Sequence, residues 1–292
     1  MKKRIVSLIV AAVLTVSMAA VFSSCGVKDG TTGNKTITIA VPNDTTNEGR
    51  ALLLLQENGL IKLDESKGIA ASILDVTENP HNIEFKEVEA AQIPGILRDM
   101  DFAVINSNYA IEAGINPMEK ALVMEGSESA YSNIIAVKKG EEKTDKIKAL
   151  VAACESKKVA DFITDKYAGS VVSTVEKPGD GFDAGIDYEK LAGTEITVAA
   201  SPAPHKEILD VAKEILAEKK ITLKVIEYTD YVIPNEVVES GEIDANYFQH
   251  LPYLEDFNAE KGTSLVSAAA IHVEPMGLYG GRLTDLSEII GE

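Results

Sequence analysis

Tryptophan is absent from this chain, aromatic residues make up only 5% of it, and cysteine occurs just twice, at Cys25 and Cys154. So few cysteines exclude a disulfide-stapled scaffold. Basic residues are also in deficit, 28 Lys and Arg against 46 Asp and Glu, for a net charge of -18. The Lys clusters are interleaved with acid, so no basic patch exists to hold phosphates, and nucleic acid is excluded as a partner. The four histidines, His81, His205, His250 and His272, include no pair at the spacing of a helical zinc motif, so neither a metal nor a cofactor is expected. There is no G-x-S-x-G and no Cys beside a His, the local signatures of a nucleophile with its base. One long apolar run exists, residues 5–21, and it is short for a membrane span.

What is present begins with that run. Lys2, Lys3 and Arg4 precede it and Ser23, Ser24 and Cys25 follow it, although Phe22 stands where an aliphatic residue is usual. A basic start, an apolar stretch and a small-residue cut site describe a lipoprotein export signal over 1–24. Lipidation of Cys25, with 25–33 as a flexible linker rich in Gly and Thr, would anchor a soluble body to the cell membrane on its extracellular or periplasmic side. Cys154 sits in the apolar helical stretch 147–159, flanked by Ala153 and Glu155 with no basic residue or histidine directly beside it, the setting of a buried, inert thiol.

The remainder of the 292 residues, 45% hydrophobic overall, can fill two lobes. Residues 36–41 alternate as a strand before Pro42 and a helix from about Asn47; residues 195–200 do so before Pro202, Pro204 and a helix from His205. The echo continues, since Ile93-Pro94 and Ile233-Pro234 each open a helical stretch that leads to another strand, 102–106 and 244–249. An α/β fold of mostly parallel sheets flanked by helices follows. Residues 175–191 are dense in Gly, Pro and Asp and read as a surface connection. Open α/β sheets bind ligands beyond the carboxyl ends of their strands, which points to the loops after Val41, Ile105, Ala200 and Asn246. Arg50, near a helix start crowded with capping residues, suits a carboxylate; a surface pairing with Glu48 or Asp44 fits that spacing equally. Asn106 and Asn108 follow a strand, where Asn is commonly a turn former.

Tyr228, Tyr231, Tyr247, Phe248, His250 and Tyr253 crowd into one short stretch of an aromatic-poor chain. Core packing accounts for part of the crowding, because alternate strand residues face inward. The others can line a pocket suited to a thioether, whose sulfur makes favourable contacts with aromatic rings.

Longer words carry a family resemblance. AASPAPHKEIL (199–209), EYTDYVIPN (227–235), DANYFQHLPYL (244–254) and IHVEPMGLY (271–279), together with VPNDTTNEGRALLLL (41–55), FAVINSNY (102–109) and SAYSNIIAV (129–137), resemble the methionine-binding lipoproteins of the NlpA type that serve ABC importers. Relative to that family the two halves stand in exchanged order, which resembles a circular permutation, with 175–191 as the bridge and the ends near 34 and 292 adjacent in space. Ala203 and Ala130 replace what are commonly Gly and Pro.

The resemblance implies a two-lobe periplasmic-binding-protein-like fold of type II with the ligand in the interlobe cleft. Lobe A would comprise 34–132 plus 280–292 and lobe B 135–275, with hinge crossings near 131–136 and 274–280. It carries the ligand carboxylate onto Arg50, the amino-acid polar end onto Asn106 and Asn133, and the side-chain pocket onto Tyr228, Tyr231, Phe248, His250 and Tyr253, with Asn43, Asn47 and Asn246 in support. The implied function is non-catalytic capture of L-methionine by a monomer that delivers it to an ABC permease with its cytoplasmic ATPase. Another small amino acid, a methionine derivative or a short peptide is the alternative ligand; a metal-binding lipoprotein and an extracellular hydrolase are the alternatives of other classes.

Overall fold

A computed structural model describes residues 36–126 and 131–290; the expected signal 1–24, the linker 25–33 with Cys25, and Ala130 lie outside the described residues. No helix among the described residues is long and apolar enough to cross a membrane.

Two sheets carry the fold. Strands β1 (Ile37–Pro42), β4 (Ile83–Val88), β5 (Phe102–Ile105), β6 (Ala121–Met124) and β13 (Gly277–Gly280) form the first, in the order β4-β1-β5-β13-β6. Strands β7 (Ser132–Lys138), β8 (Val172–Ser173), β9 (Glu195–Ala200), β10 (Thr222–Glu227), β11 (Ala245–His250) and β12 (Leu265–Val273) form the second, in the order β10-β9-β11-β7-β12-β8. A small antiparallel pair, β2 (Lys62–Leu63) and β3 (Val76–Glu78), lies apart.

The sheets are mixed, which corrects the expectation of mostly parallel ones. Parallel pairing is confined to β1 with β4 and β5 and to β9 with β10 and β11. The reason is the passage between sheets. The chain leaves the first sheet by β6 and returns to it by β13, so those neighbours run oppositely; it enters the second by β7 and leaves by β12, with the same result. Between the sheets, β6 ends at Met124 and β7 begins at Ser132, and the second passage is the short run 274–276 between β12 and β13.

Each sheet has its own core. Helix Thr45–Glu57 buries Leu52, Leu54 and Leu55 with Ile39 and Phe102, and helix Glu207–Glu218 buries Ile208, Leu209, Ala212 and Leu216 with Val198 and Tyr247. A buried Leu of this kind contributes about 1.5–3 kcal/mol. Asp44 caps the first helix by accepting from Asn47 N at 3.0 Å. Gly49 lets the turn Gly68–Ala70 lie against that helix, since a Cβ there would fall 1.9 Å from the Ile69 carbonyl oxygen.

The stretch 175–191 is not wholly a surface path. Ile186 is buried, and Phe182, Tyr188 and Leu191 pack on the second core, with the Phe182 and Tyr188 rings edge to face at 5.5 Å. The two ends of the described chain meet at Asp101. Its Oδ2 accepts from Thr38 N and Oγ1, both at 2.9 Å, its Oδ1 pairs with Arg282 Nε at 3.1 Å, and Arg282 Nη2 donates to Thr38 Oγ1 at 2.9 Å.

Candidate functional site

A cleft opens between residues of the two sheets. From the first come Asn47 and Arg50 on helix Thr45–Glu57, and Asn106, Ser107 and Asn108 directly after β5. The second supplies Asn133 on β7, Phe248, Gln249 and His250 on β11, Tyr231 after β10, and Tyr253 on helix Leu251–Lys261. Glu274 enters from the second switch. These are strand ends and helix starts, where open α/β sheets place ligands.

The structure brings together Arg50, Asn106, Asn133, Tyr231, Phe248, His250, Tyr253 and the supporting Asn47. Three expected residues stand elsewhere. Tyr228, one residue past β10, is half-buried and packs against the second sheet's core, and it is not among the residues lining the cleft. Asn43 is exposed, one residue before the cap. Asn246 is buried behind the wall, where it donates to Asn235 Oδ1 at 2.8 Å and accepts from Gln249 Nε2 at 2.8 Å, so it holds Gln249 rather than facing the cleft.

Arg50 does not pair with Glu48 or Asp44. Its Nε and Nη2 grip the Glu125 carboxylate, and Nη2 also donates to the Glu274 carbonyl at 2.7 Å. The guanidinium lies over the Tyr131 ring, 4.5 Å from its centre. Nη1 is the guanidinium nitrogen without a hydrogen bond among the described residues. Glu48 instead accepts from Ile73 N at 2.8 Å.

The asparagines are held from behind. Asn106 Nδ2 donates to Asn47 Oδ1 at 2.9 Å, which leaves Asn106 Oδ1 buried with no partner; Asn108 Oδ1 accepts from Tyr231 Oη at 2.7 Å, which leaves its Nδ2 likewise. Buried polar atoms are normally paired, so an acceptor and a donor without partners on one cleft wall are sites for a polar guest. Across from them the rings form a cage: Tyr231 stands 5.7 Å from Phe248 and 5.8 Å from Tyr253, with Phe248 6.0 Å from Tyr253. His250 Nδ1 accepts from Tyr253 N at 3.2 Å, and burial, aided by the charge of Arg50, drives its pKa well below 6.5. The ring is therefore neutral, with its proton on Nε2.

Behind the cleft lies a cluster the histidine spacing did not reveal. His205, His272 and Glu274 bring their donor atoms within 4.8 Å of one another, so two of the four histidines do converge on a set of metal-ligand type. Hydrogen bonds organise it. His272 Nε2 lies 2.7 Å and His205 Nε2 3.2 Å from Glu274 Oε1, His205 Nε2 also meets Asn133 Oδ1 at 2.9 Å, and Tyr247 Oη bonds His272 Nδ1. Burial pushes both histidines down to about 3, partly offset at His205 by the charge of Glu274. Burial also raises the pKa of Glu274.

Ser107, Asn108, Gln249 and Glu274 join the expected lining set. Asn108 and Gln249 stand within the words VINSNY and FQHLPY, and Glu274 opens EPMGLY, so adjacency to expected residues was their signal. Glu125 gave none, because it reaches Arg50 across 75 residues.

The family model for NlpA lipoproteins matches residues 3–175 and 196–291. This chain belongs to the NlpA lipoprotein family. The unmatched stretch between those blocks nearly coincides with the breaker-rich one. NlpA-family relatives include the probable D-methionine-binding lipoprotein MetQ of Pasteurella multocida, 38% identical over 135 residues, and the D-methionine-binding lipoprotein MetQ of Escherichia coli K12, 40% identical over 136. Each alignment covers 46% of this chain, with 49% and 50% of the respective relative. The chain thus spans about half the length of the curated relatives it matches. A solved nutrient-binding protein from Burkholderia cenocepacia bound to methionine is 43% identical, over 47% of this chain and 58% of that one, with a TM-score of 0.46.

Proposed function

We propose that this NlpA-family protein captures free methionine in the cleft between its sheets and hands it, unaltered, to an ABC permease driven by a cytoplasmic ATPase. The observation that carries the reading is the pair of buried, unpartnered amide atoms, Asn106 Oδ1 and Asn108 Nδ2, facing an aromatic cage across one cleft. A zwitterion with an apolar, polarizable tail complements that wall. Arg50 Nη1 donates to the carboxylate, Asn106 Oδ1 accepts from the ammonium, Asn133 lends its amide, and Tyr231, Phe248, His250 and Tyr253 enclose the thioether. The names of the relatives point the same way. The protein acts as a monomer, tethered through a lipid on Cys25, on the outer side of the cell membrane.

We further propose that its halves stand in exchanged order relative to the family. In support, the family match falls into two blocks around 176–195, single alignments to relatives stop at about half of both chains, and the described ends meet at Asp101. The functional reading is tested by mass spectrometry of the small molecule that copurifies, followed by calorimetric titration of the stripped protein with L- and D-methionine, norleucine and Gly-Met. Tight binding of methionine over norleucine is expected; indifference to every amino acid would overturn the reading.

A further inference from the structure

Tyr231 is the tyrosine of the aromatic cage with no regular element beneath it. Phe248 stands on β11 and Tyr253 on helix Leu251–Lys261, whereas Tyr231 sits in the loop 228–232, between β10, an edge strand of the second sheet, and helix Ile233–Glu239. Local bonds fix the two ends of that loop. Tyr228 N donates to the Ala200 carbonyl at 2.9 Å, and Asp230 Oδ1 accepts from Val232 N and Ile233 N, both at 2.8 Å. The place of the Tyr231 ring in the cage is therefore set by what holds the loop from outside.

Most of that hold comes from the side of the first sheet. Helix Ser107–Glu112 follows β5, and Tyr109 on it is 5% exposed, packed with Ile105, Ala110 and Tyr279. Its Oη donates to the Thr229 carbonyl at 3.0 Å, across 120 residues of chain, and its ring lies stacked on Tyr231, with centres 4.9 Å apart and planes 29° from parallel. One residue earlier, Asn108 Oδ1 accepts from Tyr231 Oη at 2.7 Å. The second sheet adds a bond of its own, from Tyr253 Oη to the Tyr231 carbonyl at 3.0 Å. Two hydrogen bonds and a ring stack thus reach this loop from across the cleft, and Tyr109, which supplies one bond and the stack, is not among the residues lining the cleft.

The cleft takes its lining from both sheets, so a captured molecule leaves when the two sides part. Any direct contact between the sides that parting breaks slows escape, whatever the molecule is, and leaves the first encounter untouched. We propose that Tyr109 is a positioning residue that latches the loop 228–232 against the first sheet's side and sets how long the captured molecule is held. The proposal rests on the amino-acid reading above and deepens it: the cage closes on the tail because a tyrosine outside the lining draws Tyr231 into place. The hydroxyl is the catch, and its acceptor is a backbone carbonyl that no substitution at Thr229 removes. The ring is the seat on which Tyr231 lies.

The test uses the full-length protein and two variants. Tyr109→Phe removes the hydroxyl and keeps the ring; Tyr109→Leu removes both. Hydrogen exchange, read by mass spectrometry on the protein with the molecule that copurifies, should quicken in 228–232 by about fivefold in Tyr109→Phe while β11 exchanges as in wild type. In stopped-flow tyrosine fluorescence of the stripped protein with L-methionine, release should rise about three- to tenfold in Tyr109→Phe and about thirtyfold in Tyr109→Leu, with capture within about twofold of wild type. A tyrosine that merely supports the fold would lower capture, or the fraction of active protein, without quickening release. Unchanged exchange in Tyr109→Phe, or unchanged release in both variants, overturns the proposal, as does slower capture that accounts for the whole loss of affinity. Should Tyr109→Leu fail to fold, Tyr109→Phe carries both measurements alone. A wild type that ignores methionine sinks the methionine reading only; the latch is then decided by exchange in the copurified complex and by the release of that molecule on rapid dilution.

Discussion

Arg50 and Glu125, 75 residues apart, meet with Nε 2.7 Å from Oε1 and Nη2 2.5 Å from Oε2, both side chains largely shut off from solvent. The pair joins the helix after β1 to the first inter-sheet switch, so it bears on shape as well as on recognition. Breaking one side of a buried pair costs about 3–5 kcal/mol, because the surviving charge stays buried alone. Arg50→Met should destabilise the stripped protein by about that amount in urea unfolding. The double variant Arg50→Met, Glu125→Met should recover more than half of the loss, and equal losses in both would contradict the account.

Tyr231→Phe removes one hydroxyl, the donor to Asn108 Oδ1, while leaving the ring in its cage. Loss of a single such bond costs about 0.5–1.5 kcal/mol. Methionine affinity should fall by roughly two- to twelvefold in calorimetry. Stability should change little, and an unaltered affinity would mean that Asn108 does not need this partner.

Acid should loosen the fold through the two histidines behind the cleft. Their folded pKa is about 3 against 6.5 in the free side chain, so below pH 6.5 the unfolded chain binds protons that the folded one refuses. Stability attributable to them is complete above pH 6.5 and is lost as the pH falls toward 3, with a slope of up to about 1.4 kcal/mol per pH unit for each histidine. Glu274 acts in the opposite sense: its raised pKa lets the folded state take a proton early, which relieves part of the loss. Urea unfolding of wild type and His272→Gln between pH 6.5 and 4.5 should give a shallower fall for the variant. Parallel curves would show that His272 takes up its proton in the folded state.

Cys154 packs in the second core, 1% exposed, and burial pushes its thiol up to about 12. A thiol without thiolate is unreactive. Iodoacetamide at pH 8 should leave Cys154 unmodified in the folded protein and alkylate it in 8 M urea, as read by peptide mass spectrometry. Rapid modification of the native form would place the residue at the surface.

Much of this was legible where local pattern decides. The strand-proline-helix echo is realised as β1 with Thr45–Glu57 and β9 with Glu207–Glu218, because alternation and capping act over a few residues. Tyr231, Phe248, His250 and Tyr253 could be read as a pocket because a crowded aromatic run in an aromatic-poor chain signals more than packing. Tyr228 lies just past the end of β10, where no local pattern says to which side the chain turns. The antiparallel partners β7, β12 and β13 depend on how often the chain passes between sheets, which no local pattern encodes. Glu125 and His205 reach their partners over long sequence separations, and such pairings exist only once the sheets are formed.

The meeting of Thr38 and Arg282 on Asp101 has a mechanical side. Strands β1 and β13 both flank β5, so tension applied between the first and last described strands travels through a single sheet and one carboxylate. That load path runs beside the cleft without crossing either switch between sheets. Pulling on those two strands would strain β1 against β5 in shear and leave both passages slack.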